Sequence, residues 1–152
     1  SARPIAGALG LEIQTEDRII EPTNYFEGMV NSGPDAAFKQ PRHWHKFWNP
    51  FLPSWGEPYR LIAARMRAAL GDMAASVPQG GQALVVAHQL PIYIARLDAE
   101  GRSFVHNPAN RQCRLASVTS FHYLDGRVVK VEYAEPCADL YPVSQKMFRP
   151  GM

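Results

Sequence analysis

The sequence predicts an α/β fold with a mixed sheet, and three observations carry that expectation. A continuous apolar run, Ala83-Leu84-Val85-Val86-Ala87, leads into His88-Gln89-Leu90-Pro91, as a parallel strand buried on both faces does when it feeds a helix. Residues 57–76 repeat Leu61, Ile62, Arg65, Met66, Ala69, Leu70 and Met73 at spacings of three and four, the pattern of an amphipathic helix. Alternating runs at 118–124 and 128–133 flank Asp125-Gly126, a strong hairpin signal.

The remaining elements follow in chain order. Ala2 to Leu9 reads as a helix that stops at Gly10, with Pro4 tolerated in its first turn. Leu11-Glu12-Ile13-Gln14-Thr15 alternates apolar and polar residues, as a short half-buried strand does. Helix, glycine and strand form the second half of a βαβ unit whose first strand is not among these residues. Residues 16–58 are irregular and rich in Pro, Gly, Asn and aromatics. Within them, residues 42–55 are too apolar for a solvated loop, so they are expected to form an aromatic lid or pocket wall. Pro78-Gln79-Gly80-Gly81 ends the long helix, and a second helix starts near Pro91. Residues 136–152 carry three prolines and read as a surface tail.

Composition narrows the function classes. The 152 residues suit one domain, and 46% apolar content suits a packed core. Sixteen Lys and Arg against fourteen Asp and Glu, well mixed, make no basic stripe, so nucleic acid is not expected as a partner. The strongly apolar run has five residues where a spanning helix needs about twenty, so no membrane partner is expected either. The first ten residues lack the basic start, apolar stretch and cleavage site of a secretory signal. Cys113 and Cys137 form no CxxC and read as reduced thiols of a cytoplasmic protein, with one disulfide as the alternative.

Two positions stand out chemically. His88 falls where a strand ends and a helix begins, the edge at which open α/β sheets bind ligands. The helix N–H groups and dipole favour an anion there, and a histidine can donate to a phosphate oxygen or move a proton. The alternative is a strand-end histidine that only caps a neighbouring carbonyl. Glu21 follows Ile19-Ile20 and precedes Pro22 and an aromatic segment, so a half-buried carboxyl there could serve as a general acid. The alternative, which the residues alone favour, is a solvated loop acid. Arg42 and His43 in the aromatic loop read as pocket-lining residues for an anionic substrate, or equally as a solvated rim. His43-x-His45, even with His106 and His122, has no Cys or carboxylate at ligand spacing, so no metal is expected. Gly-x-Ser-x-Gly, P-loop and GxGxxG patterns are absent from the 152 residues.

Taken together, these segments resemble the histidine phosphatase superfamily, also called phosphoglycerate mutase-like. Ser1-Ala2-Arg3-Pro4-Ile5-Ala6 is similar to the end of the family's first helix, and Ile20-Glu21 with Tyr25-Phe26-Glu27-Gly28 to its acidic segment. Ser54-Trp55-Gly56-Glu57 resembles its Gly-Glu-Ser helix start, and Val85-Val86-Ala87-His88 its second-histidine strand. Leu115-Ala116-Ser117-Val118-Thr119 resembles its Asn-Ala-Ser-Val strand. The resemblance runs from Ser1 to about Glu135. It implies a single three-layer α/β/α domain, 1–152, with a mixed, mostly parallel sheet.

The resemblance also implies a phosphatase acting on a small phosphate monoester through a phosphohistidine, with no metal or other cofactor. On it, His88 is the second histidine of the phosphate pocket and Glu21 is the proton donor. Gln89 departs from the family's glycine, and either narrows the pocket or adds a substrate contact. A small phosphorylated substrate is the expected partner, and self-association is left open. None of the five histidines lies in an Arg-His-Gly motif, and the segment after Glu21 is one residue short. The family's nucleophile is therefore expected outside these residues, with Ser1 internal to a longer chain and the 152 residues alone inactive. Leaving the strand at 83–87 without its family neighbour would cost about 1–3 kcal/mol for each unpaired backbone group. The rival expectation is a non-catalytic binding or scaffold protein on the same fold.

Overall fold

A computed structural model of the chain describes residues 2–22, 56–107 and 110–140. The aromatic segment at 42–55, with Arg42 and His43, lies outside them, as does the tail beyond Leu140.

Helix α1, Arg3–Leu9, carries Pro4 in its first turn, where no intrahelical N–H is needed. Gly10 closes it at φ 64°, a left-handed conformation that costs glycine nothing, and its N–H returns to the Ala6 carbonyl. Asp17–Ile19 makes one 3-10 turn, capped by the Glu16 carboxylate, which accepts from the Arg18 N–H at 3.0 Å. Helix α2, Tyr59–Ser76, and helix α3, Gln89–Ala99, form the core. Ile62, Met66, Ile94 and Leu97 are almost fully excluded from water, with Ala63 and Ala95 buried in the same cluster. Small side chains at those two positions let two helices approach while the branched and long ones fill the space between.

Strands β1, Val118–Leu124, and β2, Arg127–Ala134, pair antiparallel around Asp125-Gly126. Asp125 at φ 49° and Gly126 at φ 74° give the doubly left-handed turn that a two-residue hairpin requires. A register shift between His122 and Tyr123 marks a bulge, and Phe121 packs on the helical core. The Arg96 guanidinium lies 5.1 Å from the Tyr133 ring centroid and so ties α3 to β2.

The α/β class therefore holds, while the described residues do not show the mixed, mostly parallel sheet that was expected. Among the described residues the sheet has two antiparallel strands and no parallel ladder. Gln82–Ala87 is not a strand, and Leu84 and Val86 are 58% and 40% exposed, where burial on both faces was expected. Residues 11–15 likewise form no strand, with Leu11 and Ile13 exposed. Both corrections share one physical cause: a strand exists only through its partner's hydrogen bonds, and neither segment has a paired neighbour among the described residues.

Arg65 joins these parts. Its guanidinium grips Glu57 through Nε and Nη2 at 3.0 Å, and its Nη1 donates to the Arg18 carbonyl at 2.6 Å. Arg18 in turn bridges Glu16 and Asp72 at 2.8 and 2.7 Å. Two substitutions separate the polar and apolar contributions in denaturant melts of the full-length protein. Ile94→Ala is expected to cost about 2–5 kcal/mol, since it opens a cavity at a site with 0% exposure. Arg65→Met, which strands the Glu57 carboxylate and the Arg18 carbonyl, is expected to cost about 1–3 kcal/mol.

Candidate functional site

Glu21 and His88 are far apart in sequence, and the structure brings them together. His88 Nδ1 lies 4.0 Å from Glu21 Oε2. Each is placed by different chemistry. Glu21 follows the 3-10 turn that Arg18 and Arg65 pin to α2, and the neighbouring Pro22 is buried. His88 is the N-cap residue of α3, with an extended backbone at φ −93° and ψ 164°. Its carbonyl accepts from Ile92 N–H, while its imidazole makes no capping hydrogen bond. A histidine that caps nothing, beside the free N–H groups of a helix start, is available to an anion.

The carboxyl is not a fully solvated acid. Burial pushes the Glu21 pKa up, and the nearby charges of His88, Arg111 and Arg65 pull it part of the way back down. The net direction is upward, which lengthens the pH range over which Glu21 holds a proton to give. Side-chain exposures of 45% for Glu21 and 66% for His88 leave the pair open to a ligand.

The other expected site residues are placed less directly. Gln89 spends its side-chain amide on the Cys113 carbonyl, donating at 2.8 Å, so that contact holds α3 to the loop beneath it. His122 pairs with Glu132 on the hairpin at 2.7 Å. His106 sits between Tyr59, centroids 5.4 Å apart, and Tyr93, at 4.9 Å. Among the described residues no group of three His, Cys, Asp or Glu is arranged to hold a metal. Cys113 and Cys137 are both free thiols, and burial pushes the Cys113 pKa up, away from reactivity. Sequence reasoning missed the contacts of Arg65, Arg111, Tyr59 and His106: Arg65 entered it only in the α2 stripe, His106 only as a possible metal ligand, and Arg111 and Tyr59 not at all. A separate cleft between α2, α3 and the hairpin, lined in part by Arg67, Leu70, Phe121, Tyr123 and Arg127, contains neither Glu21 nor His88.

Glu21 and His88 thus place an acid and an imidazole side by side at the start of α3. Comparison with known proteins gives the family. The family description "Histidine phosphatase superfamily (branch 1)" matches residues 1–136, and the chain belongs to that superfamily. Uncharacterized proteins of Mycobacterium tuberculosis strains H37Rv and CDC 1551 are each 44% identical over 138 residues, which is 91% of this chain and 68% of theirs. No solved structure matches the chain significantly. Members of the superfamily are typically catalytic, so membership supports phosphatase or mutase-type chemistry. No helix among the described residues is long and apolar enough to cross a membrane.

The raised pKa of Glu21 has a signed consequence for stability. At a pH well below the unfolded value the carboxyl is neutral in both states, so Glu21→Gln should change nothing. As pH rises through the folded value, the half-buried carboxylate becomes unfavourable in the folded state only. Glu21→Gln is therefore expected to raise the melting temperature at pH 8 relative to the wild type, and to lose that advantage near pH 3. In carboxyl NMR titrations, His88→Ala should move the Glu21 pKa further up, because a cation that lowers it is removed.

Proposed function

We propose that this chain is part of a cytoplasmic phosphatase that hydrolyses small phosphate monoesters through a phosphohistidine. It would supply the proton donor and the second histidine. The nucleophilic histidine would come from residues outside these 152, which by themselves would be inactive. The observation that supports this reading is the 4.0 Å approach of His88 to Glu21 at the start of α3. Free thiols at Cys113 and Cys137 suit a reducing compartment.

That chemistry would run in two steps. In the first, the nucleophile's nitrogen bonds to phosphorus as the phosphorus–oxygen ester bond breaks. Glu21 gives its proton to the departing alkoxide, and His88 with the α3 N-terminus holds phosphoryl oxygens where charge develops. In the second, water attacks phosphorus, the phosphorus–nitrogen bond breaks, and the Glu21 carboxylate takes the water's proton, restoring the acid. A carboxyl whose pKa is raised suits both halves of this cycle. The aromatic segment 42–55, with Arg42 and His43, would set specificity alongside Gln89.

Assay of the full-length protein tests the reading. His88→Ala and Glu21→Gln should each cut turnover of an alkyl phosphate at least about a hundredfold. The Glu21→Gln loss should be smaller on p-nitrophenyl phosphate, whose leaving group needs no proton. Near-wild-type rates in either variant would remove that residue from the mechanism. A wild type with no turnover and no acid-labile phosphoprotein would leave the non-catalytic binding reading instead.

A further inference from the structure

His106 stands where the segment between α3 and β1 meets both core helices. Tyr59 of α2 stacks on its ring with centroids 5.4 Å apart, and Tyr93 of α3 meets the ring edge-on at 4.9 Å. Both tyrosines are buried, so the imidazole is held on two sides. Its Nδ1 donates to the Phe104 carbonyl at 2.7 Å, since a carbonyl oxygen only accepts. Nε2 therefore carries the lone pair, and the Arg111 Nε donates to it at 2.9 Å. The Arg111 Nη2 reaches the Tyr59 hydroxyl at 3.4 Å. One neutral ring and the guanidinium that depends on it thus fasten this segment to α2.

A proton on the ring is incompatible with that arrangement. It would turn Nε2 into a donor facing a donor and set an imidazolium 2.9 Å from a guanidinium nitrogen. Among the described residues, the titratable and charged groups facing the ring are Tyr59 from α2, Tyr93 from α3 and Arg111 on its own segment. No carboxylate is among them to welcome the proton. Burial pushes the His106 pKa down, the Phe104 hydrogen bond raises it in part, and the Arg111 charge lowers it again, so the ring is neutral at neutral pH. Arg111 in turn acts on the acid, where its charge lowers the Glu21 pKa. We propose that His106 is a positioning residue for Glu21: its neutral ring fixes Arg111, whose charge acts on the carboxyl, and a proton on that ring releases the guanidinium. The attachment is complete at neutral pH and is lost as pH falls below the ordinary range of histidine and through the value in the folded protein. What Glu21 does with its proton rests on the phosphatase reading; the attachment does not.

The test is NMR of the full-length protein, following Arg111 Nε–H exchange with solvent while the His106 ring and the Glu21 carboxyl titrate. In the wild type, Nε–H exchange, corrected for its intrinsic pH dependence, is expected to quicken about tenfold or more over the interval in which His106 gains its proton. His106→Gln places an amide oxygen where Nε2 was and does not titrate, so protection should persist through that interval. His106→Phe keeps a ring between the tyrosines but accepts nothing, so protection should be lost at every pH and the Glu21 pKa should rise. In His106→Gln the Glu21 pKa should stay where it is in the wild type. Protection that survives protonation of His106, or that fails at the same pH in His106→Gln, overturns the proposal, and this comparison stands even if His106→Phe does not fold. A Glu21 pKa that is no higher in a folded His106→Phe protein also overturns it. Hydrolysis of an alkyl phosphate is read in parallel. No turnover with the coupling intact rejects the phosphatase reading and leaves the role of His106 standing; turnover without the coupling does the reverse.

Discussion

The Arg65 guanidinium is the contact on which the candidate site depends. One fork holds Glu57 at the approach to α2, and the remaining nitrogen takes the Arg18 carbonyl on the segment that leads to Glu21. The segment before Glu21 has little apolar surface to bury; Ile20 is 61% exposed and only Ile19 touches the core. Polar clamps do there what packing does elsewhere. The same helix then packs on α3 through Ile62, Met66 and Ile94, and α3 begins at His88. Helix α2 is thus the spacer between acid and imidazole, bonded to one by charge-assisted hydrogen bonds and to the other by close packing. Loss of either attachment would change the 4.0 Å separation without touching Glu21 or His88.

The electrostatics of the site are a balance with a definite sign. Three cations act on Glu21, and any one of them would favour a carboxylate. Burial outweighs them, so the acid form persists to higher pH than in a solvated glutamate. Arg65 is already paired with Glu57, which mutes its field at Glu21. Arg111 donates to the His106 imidazole and the Tyr59 hydroxyl and has no carboxylate partner among the described residues, so its charge also reaches Glu21.

What could be read from the sequence was what is decided locally. Gly10 at a helix end, Asp125-Gly126 at a hairpin and the three-four spacing through Leu61, Ile62, Arg65 and Met66 need only neighbours within a turn or two. The extended segments at 11–15 and 82–87 were misjudged because alternation and apolarity say that a strand would be tolerated, not that a partner is present. The meeting of Glu21 and His88 could not be derived from spacing; it came from resemblance, and the structure supplies the contact. Arg65 and Arg111 left no trace in the sequence, because a guanidinium looks the same whether it meets solvent, a carboxylate or a backbone carbonyl.

The segment before His88 shows how much of the site is already fixed. Exposure alternates along it, with Leu84 and Val86 open and Val85 and Ala87 half-buried, so it lies against the protein by one face only. A segment without ladder hydrogen bonds gives His88 little restraint from its N-terminal side. The restraint comes from the other side, where the His88 carbonyl accepts from Ile92 and Gln89 ties α3 to the Cys113 carbonyl. Gln89 therefore has a structural use as well as its place beside the site. Its amide ties the first turn of α3 to the Cys113 carbonyl, and so sets the direction in which the helix start and the His88 imidazole face.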